Sequence, residues 1–457
     1  MRLYDTKEQQ LIEVRPSPRG TVDIYCCGPT VYRFAHVGNM RTFLLGDLVR
    51  RTLKAEGVDY RYVQNITDVG HLNDDTNIEE DKVLTQAKIE QKDPFEIARF
   101  YESAFHADLS ALNITPADAY PKASESISLI TDLIAQLIYI GSAYQGSDGS
   151  LYFAARSCKD YGVISNNSLD QLRAGHRFDV EEGEPGKRFH ADWALWKSAS
   201  ANREMTWPTP WGVGFPGWHV ECSAMSLHYF PQGVSLHLGG IDLRFPHHEN
   251  ERAQSNAATN SEFVQQWVHG EHLLFEGRKM AKSAGNVLHV SELIERGIDP
   301  LALRLLFLEN HYRTQMNLTW EGIEAAHSTL KRWRRKISAW PEGGAPDSTL
   351  LQSILAHFGD DLDTAAAILQ LRRIERDDLI AESVKRATFL AADSLLGLDL
   401  DRRDELTLPR EAMELLEARA LARKAKDWNL SDQLRDALFE RGIQVSDGPD
   451  GQSWELR

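Results

Sequence analysis

His36-Val37-Gly38-Asn39 near the start of the chain and Lys279-Met280-Ala281-Lys282-Ser283 past its middle are the residues whose types and order bear most directly on chemistry. His36 and Asn39 fall between a strand-like and a helix-like stretch. Free backbone N–H groups and the positive end of a helix dipole attract phosphate there, and two side-chain donors reach its oxygens. The second string is a Gly-flanked loop with two lysines, suited to closing over a pentacovalent α-phosphate and a departing pyrophosphate, whose negative charge grows in the transition state. Alone, the first string reads as a helix cap and the second as a solvated loop. In this order and this far apart, they point to nucleotide activation by adenylate formation.

The neighbouring patterns supply the elements that must hold these strings. Val22 to Cys27 alternates as a strand does and is broken by Gly28-Pro29-Thr30. From Asn39, Met40, Phe43, Leu44 and Leu48 recur at helical spacing until Gly57, and Tyr60 to Ile66 reads as the next strand. This is a β-α-β unit, the start of a parallel sheet. Helices are predicted over Pro94 to Leu112 and Ser124 to Ile140. Val234 to Leu238 reads as a further parallel strand, with Gly239-Gly240 as a tight turn behind it, so the sheet is split by an insertion. After Ser283 come helical segments with a basic run, Lys331 to Lys336, then a linker-like Pro341-Glu342-Gly343-Gly344-Ala345-Pro346. More helix follows, and a hairpin-like piece, Ile443 to Leu456, turns at Asp447 to Gly451.

Bulk properties narrow the class. A chain of 457 residues with 42% hydrophobic content is expected to build about two to four domains. No apolar run has the length to span a bilayer and the opening residues are too polar for a secretory signal, so a cytosolic protein with no membrane partner is expected. Four cysteines in so long a chain do not make a disulfide framework; in a reducing compartment, clustered thiols suggest metal binding or catalysis. The net charge of −16 argues against a nonspecific polyanion binder but leaves room for a local basic patch.

Cys27, Cys222, His247 and Glu251 offer the sulfur, imidazole and carboxylate donors that Zn²⁺ accepts, and His247 and Glu251, four apart, would share a helix face. Spacing alone favours a buried small Cys222 and a surface pair His247–Glu251 over metal ligands. Cys26 and Cys27 are adjacent on a strand, so only one of them can reach a metal.

The two strings resemble the signatures of class I aminoacyl-tRNA synthetases. Further segments narrow the resemblance to the cysteinyl-tRNA synthetase family: Tyr25 to Tyr32, Asn65-Ile66-Thr67-Asp68, Gly217 to Met225, Asp242 to Glu251, Asp360 to Thr364 and Arg423 to Trp428. The resemblance runs nearly end to end. It implies an α/β architecture: a Rossmann-like parallel-sheet catalytic domain split by an α+β insertion, then helical stem-contact and helical-bundle domains, and a small C-terminal α+β anticodon module. The expected boundaries are 1–118 and 201–287 for the catalytic halves, 119–200 for the insertion, 288–345 for the stem-contact region, 346–400 for the bundle and 401–457 for the anticodon module.

The same resemblance implies activation of L-cysteine by ATP with Mg²⁺, transfer to tRNA(Cys), and one Zn²⁺ per monomeric chain, held by Cys27, Cys222, His247 and Glu251. Cys26 and Cys158 are left as core thiols. His36, Asn39, Lys279, Lys282 and Ser283 become the catalytic set, with Lys282 the candidate for transition-state stabilisation. Gly28 and Thr30 join the substrate-binding residues, and Thr67 and Trp218 line the cysteine pocket; for Trp218 a core position is the competing reading. His219 and Asp242 contact the adenosine moiety. Arg423, Trp428, Asp432 and Asp447 are the candidates for reading the anticodon. The basic run meets the inner bend of the tRNA or is a solvated helix face.

Zinc would explain selectivity, because a bound substrate thiol loses its proton readily whereas a serine hydroxyl does not. A hydrophobic pocket rejects a near-isostere by about 1–3 kcal/mol, whereas a group the site is built to bind gives on the order of 10⁴-fold, so no editing is expected. The insertion is expected to pack over the active site and help hold the acceptor end. Three features depart from the family pattern: Asn39 where histidine is commoner, Ala281 where serine is commoner, and a segment Val69 to Glu80 that is about ten residues longer than usual and reads as an acidic flap. Two rivals stand beside this reading: a cysteine ligase of mycothiol assembly, which has no use for the synthetase-like residues 400–457, and a noncatalytic paralogue, which the two altered positions favour.

Overall fold

The computed structural model describes residues 1–70, 81–169, 186–280, 286–403, 410–448 and 451–456. Lys282, Ser283 and most of the Val69 to Glu80 segment lie outside the described residues. The chain forms two compact units, Met1–Asp401 and Arg402–Arg457.

At the centre of the first unit is a four-stranded parallel sheet in the spatial order Val264–Gly270, Val234–Gly240, Val22–Cys26, Tyr60–Gln64. Every residue of Val22–Cys26 and Val234–Gly240 is buried, as expected of strands covered on both faces. The chain runs from Val22–Cys26 to one neighbour and returns later to the other, so the order reverses between Val22–Cys26 and Val234–Gly240. Ligands of open α/β sheets bind beyond the carboxyl ends of strands at such a switch point. Residues 27–30 and 241–244 occupy that position.

Near the crevice, the helix start and the Gly239-Gly240 pair differ from the sequence expectation. The helix begins at Val37, with His36 as its N-cap, so Asn39 lies inside its first turn. Gly239 and Gly240 are strand residues, paired with His269 and Gly270, and do not form a turn. Their glycine identity serves close approach: a Cβ on Gly239 would lie 2.6 Å from His248 Cε1, and one on Gly240 would lie 2.5 Å from Asp242 Oδ1.

The insertion is a helix, Ile127–Tyr139, with buried Ile130, Leu133, Ile134 and Leu137 on one face, beside a five-stranded antiparallel sheet. That sheet runs Ala143–Gln145, Leu151–Phe153, Trp193–Ser198, Gly212–Pro216, Trp207–Thr209. It therefore continues to Pro216, past the expected end at residue 200, because the short strands after Ser198 complete its edge.

Beyond Asp299, five helices complete the first unit among the described residues: Pro300–Leu308, Trp320–Ala339, Ser348–Gly359, Thr364–Arg376 and Glu382–Leu396. The basic run lies on the second of them, and most of it is engaged internally. Arg332 and Lys336 pair with Glu375, and the buried Arg334 pairs with Asp299, leaving Lys331 and Arg335 on the exposed side. The second unit packs helices Arg410–Lys424 and Trp428–Glu440 with a hairpin, Ile443–Gly448 and Gly451–Leu456, around Ala412, Leu416, Leu438 and Ile443.

Candidate active site and metal centre

Three elements bring the four donors together. Cys27 follows the central strand, Cys222 lies on helix Trp218–Tyr229, and His247 and Glu251 lie one turn apart on helix His247–Thr259. All four are buried and their donor atoms lie within 4.8 Å of one another. The two sulfurs are 3.9 Å apart, Cys27 Sγ is 3.4 Å from Glu251 Oε1, and His247 Nε2 is 2.9 Å from that same oxygen. Two thiolates each about 2.3 Å from a tetrahedral Zn²⁺ would sit roughly 3.8 Å apart, so the sulfur separation fits such an ion. Charge points the same way. Burial pushes the Glu251 carboxyl and the Cys27 thiol well up, the neighbouring Cys222 adding to the effect on Cys27, so only a cation makes several anions tenable in this pocket.

Cys26 points the other way, into the main core with Ile24 and Leu238, and burial raises its thiol to about 11. Cys158 is half-buried, with its Sγ 3.3 Å from Asp160 Oδ1 at the edge of the insertion, which corrects its expected place in a core.

Sequence reasoning missed a shell of histidines. His237 Nε2 and His248 Nε2 lie 3.5 and 3.4 Å from Cys27 Sγ, and with Cys27 and Glu251 they form a second, overlapping donor set. Behind them, His248 Nδ1 is 2.8 Å from His269 Nε2, and His269 Nδ1 is 2.7 Å from Thr6 Oγ1. Burial keeps these rings neutral, pushing His269 down to about 3. The sequence signal was a histidine flanked by leucines inside a buried strand, Val234–Gly240. Glu221 was also missed; it is fully buried, and burial pushes its carboxyl well above the usual range.

The predicted pocket residues ring this centre. The Gly28 N–H donates to Asn65 Oδ1, and a Cβ there would fall 1.6 Å from the Asn65 carbonyl oxygen, so only glycine fits. Thr30 and Thr67 form a parallel bridge across the carboxyl ends of the first two parallel strands. Trp218 is not a core residue: it is partly exposed at the start of its helix, its ring 4.2 Å from that of His247. His219 Nδ1 lies 2.9 Å from His247 Nδ1, which places it against a metal donor. Asp242, exposed in the turn Ile241–Arg244, lies close enough to His36 for its charge to act on that imidazole.

His36 and Asn39 cap their own helix. Asn39 N–H donates to His36 Nδ1 and His36 N–H donates to Asn39 Oδ1. With Nδ1 accepting, the ring proton sits on Nε2. Burial and the nearby Arg33 push the ring's pKa down to about 4, so it is a neutral donor at physiological pH. The second string meets the first: Met280 packs on Gly38, where a Cβ would lie 2.8 Å from Met280 Cε, and Val37 N–H donates to the Leu288 carbonyl. Lys279 is exposed at the end of strand Arg278–Lys279, and its carbonyl accepts from Asn286 Nδ2.

In the second unit, Asp447 takes salt bridges from Arg419 and Arg423, and the Arg423 guanidinium lies 5.7 Å from the exposed ring of Trp428. Those arginines hold the Asp447 carboxyl below the usual carboxylate range. Asp432 pairs with Arg435.

Comparison with known proteins bears on both units. The family model described as the tRNA synthetases class I (C) catalytic domain matches residues 13–328, and that of the cysteinyl-tRNA ligase anticodon binding domain matches residues 407–454. The chain is 40% identical to a cysteine–tRNA ligase of Thermus thermophilus over 99% of each chain. It is 39% identical to cysteine–tRNA ligase 1 of Burkholderia lata over 99% of this chain and 96% of that one. The fold is similar to that of Mycobacterium tuberculosis methionyl-tRNA synthetase bound by methionyl-adenylate, with TM-score 0.55 and 14% identity, covering 83% of this chain and 90% of that one. It is also similar to a LeuRS in a tRNA complex from Agrobacterium radiobacter, with TM-score 0.60 and 11% identity, covering 85% and 84%. A class I catalytic domain and a cysteinyl-type anticodon domain on one chain, matched end to end by its relatives, leave one conclusion: the chain belongs to the cysteine–tRNA ligase family of class I tRNA synthetases.

Proposed function

We propose that this chain joins L-cysteine to ATP as cysteinyl-adenylate, releasing pyrophosphate, and passes cysteine to the 3′-terminal adenosine of tRNA(Cys). The observation that carries the reading is the position of the Cys27–Cys222–His247–Glu251 cluster at the switch point, beside the His36-capped helix. An amino acid thiol and an ATP α-phosphate are thereby brought to one crevice.

Cys27, Cys222, His247 and Glu251 would hold Zn²⁺, which when bound would select a thiol as its further ligand over a hydroxyl. The chain's own groups do the rest. Trp218 closes the pocket wall over His247, and His219 orients that imidazole. Gly28 lets the chain after the central strand close against Asn65, while Thr30 and Thr67 set the pocket width. His36 offers Nε2–H to phosphate from the positive end of helix Val37–Ala55, and Asn39, its Oδ1 engaged in the cap, keeps its amide N–H groups for the same purpose. Asp242 faces this crevice from the opposite strand end and suits the ribose. Lys279, Lys282 and Ser283 would follow the charge onto pyrophosphate, with Mg²⁺ accompanying ATP. In the second unit, Trp428, Arg423, Asp432 and Asp447 supply a stacking surface with donors and acceptors for unpaired anticodon bases. A monomeric, cytoplasmic enzyme fits four free cysteines, and among the described residues no helix is long and apolar enough to cross a membrane.

Cysteine-dependent exchange of pyrophosphate into ATP tests the first half-reaction, and charging of tRNA(Cys) tests the second. Exchange with cysteine but not serine supports the reading; exchange without any charging of tRNA refutes it.

A further inference from the structure

The metal helix His247–Thr259 is held from behind by one short stretch of the insertion. Glu249 points away from the donor cluster and accepts three hydrogen bonds, from the Ile164 N–H at 3.1 Å, the Ser165 N–H at 2.9 Å and the Ser165 hydroxyl at 2.9 Å. Asn250 Oδ1 accepts from the Tyr161 hydroxyl at 2.6 Å. Arg252 reaches Asp160 at 2.6 Å and closes on Glu262 with two further bonds. Within one helical turn, then, Glu249, Asn250 and Arg252 are tied to residues 160–165 while the donors His247 and Glu251 project to the other side.

The stretch also reaches the donors themselves. Ile164, fully buried, belongs to the same apolar cluster as Cys27, Cys222, Tyr25 and Trp267, so it forms part of the pocket wall. Glu249 and Asn250 are both about 1% exposed, so water cannot replace these bonds without opening the insertion. A buried carboxylate with three donors is a costly arrangement to build for packing alone, since an apolar contact at that position would need none of them.

We propose that residues 160–165 act as a clamp that sets the rotation and depth of the metal helix, with Glu249 as the positioning residue that transmits the insertion's placement to His247 and Glu251. The proposal rests on the metal reading above. Outer partners of metal donors tune affinity by about 10- to 100-fold, and Glu249 acts in that manner through the helix instead of through a bond to a donor side chain.

Zinc release to a chromogenic chelator from the full-length holoenzyme tests it, with KM values for cysteine and ATP from pyrophosphate exchange. Glu249→Met nearly keeps the volume but leaves the donors of Ile164 and Ser165, all of which end on Oε2, without an acceptor. It is expected to weaken zinc retention by about 10- to 100-fold and raise KM for cysteine, leaving KM for ATP unchanged. Tyr161→Phe, which removes one hydrogen bond without a volume change, is expected to shift both quantities in the same direction and by less. Zinc retention unchanged in Glu249→Met overturns the clamp; should that variant fail to fold, unchanged retention in Tyr161→Phe overturns it. A wild-type chain that purifies and works without zinc overturns the metal reading and the clamp together, whereas a zinc-loaded wild type with unaltered variants overturns the clamp alone.

Discussion

The sulfur of Cys27 lies 3.9 Å from that of Cys222, although 195 residues separate them in the chain. A strand end and a helix from the two halves of a split sheet make that contact, so the metal pocket depends on the catalytic fold closing around the insertion. Removing either sulfur should abolish selection before it abolishes folding. Cys222→Ser, nearly isosteric, is expected to lose zinc by more than about 100-fold in affinity and to lose most discrimination between cysteine and serine in pyrophosphate exchange. Metal analysis with parallel exchange assays on both amino acids checks this.

Gly239 provides a steric test of the same pocket. Its ideal Cβ would lie 2.6 Å from His248 Cε1 and 3.0 Å from Nε2, and His248 cannot retreat because His269 stands 2.8 Å behind it. Gly239→Ala is expected to destabilise the fold by about 1–3 kcal/mol, as overpacking does, and to lower zinc occupancy. Urea unfolding and metal analysis measure the two effects.

The cap at the first signature predicts a pH dependence. His36 titrates at about 4 in the folded chain, because of burial and Arg33, against an ordinary value near 6.5. Between those values the unfolded chain binds the extra proton, so stability is lost as pH falls from roughly 6.5 toward 4 and is unaffected by this group above that window. A His36→Asn variant, which retains a capping acceptor, should show a shallower loss of stability over that interval in thermal unfolding followed against pH. Asn39→Ala removes the bond from the His36 N–H to Asn39 Oδ1 while keeping the one from the Asn39 N–H to His36 Nδ1, and is expected to cost about 1 kcal/mol, with a slower exchange rate.

The two arginines on Asp447 separate structure from recognition. Arg419 is buried, and losing its carboxylate partner leaves a charge with poor solvation, so Asp447→Ala should lower the melting temperature of the C-terminal unit. Trp428 is 56% exposed, so Trp428→Ala should spare stability while raising KM for tRNA(Cys), by the equivalent of about 1–3 kcal/mol if a base stacks on the ring. Pyrophosphate exchange should not change in Trp428→Ala; equal charging by wild type and variant would remove Trp428 from the anticodon contact.

Much of the fold was legible because it rests on local periodicity. The β-α-β unit from Val22 to Gln64 and the helix Ile127–Tyr139 carry their apolar residues at regular spacing. The insertion sheet was not legible, since three of its strands have only three residues and offer no period to read. Gly239-Gly240 misled for a tertiary reason, the approach of His248 and Asp242, which no local rule contains. The site was legible only in part. His247 and Glu251 share a helix face by spacing, but their convergence with Cys27 and Cys222 is a product of topology, and it was resemblance that selected the four. The histidines at 237, 248 and 269 are separated in sequence and meet only through the packing of two strands against the metal helix.

The most direct test of the central claim is zinc stoichiometry measured together with cysteine charging on the same preparation, before and after chelation. We predict one zinc per chain, loss of cysteine-dependent exchange and of charging when it is removed, and recovery of both on adding Zn²⁺. A chain that charges tRNA(Cys) at full rate with its zinc stripped would contradict the account.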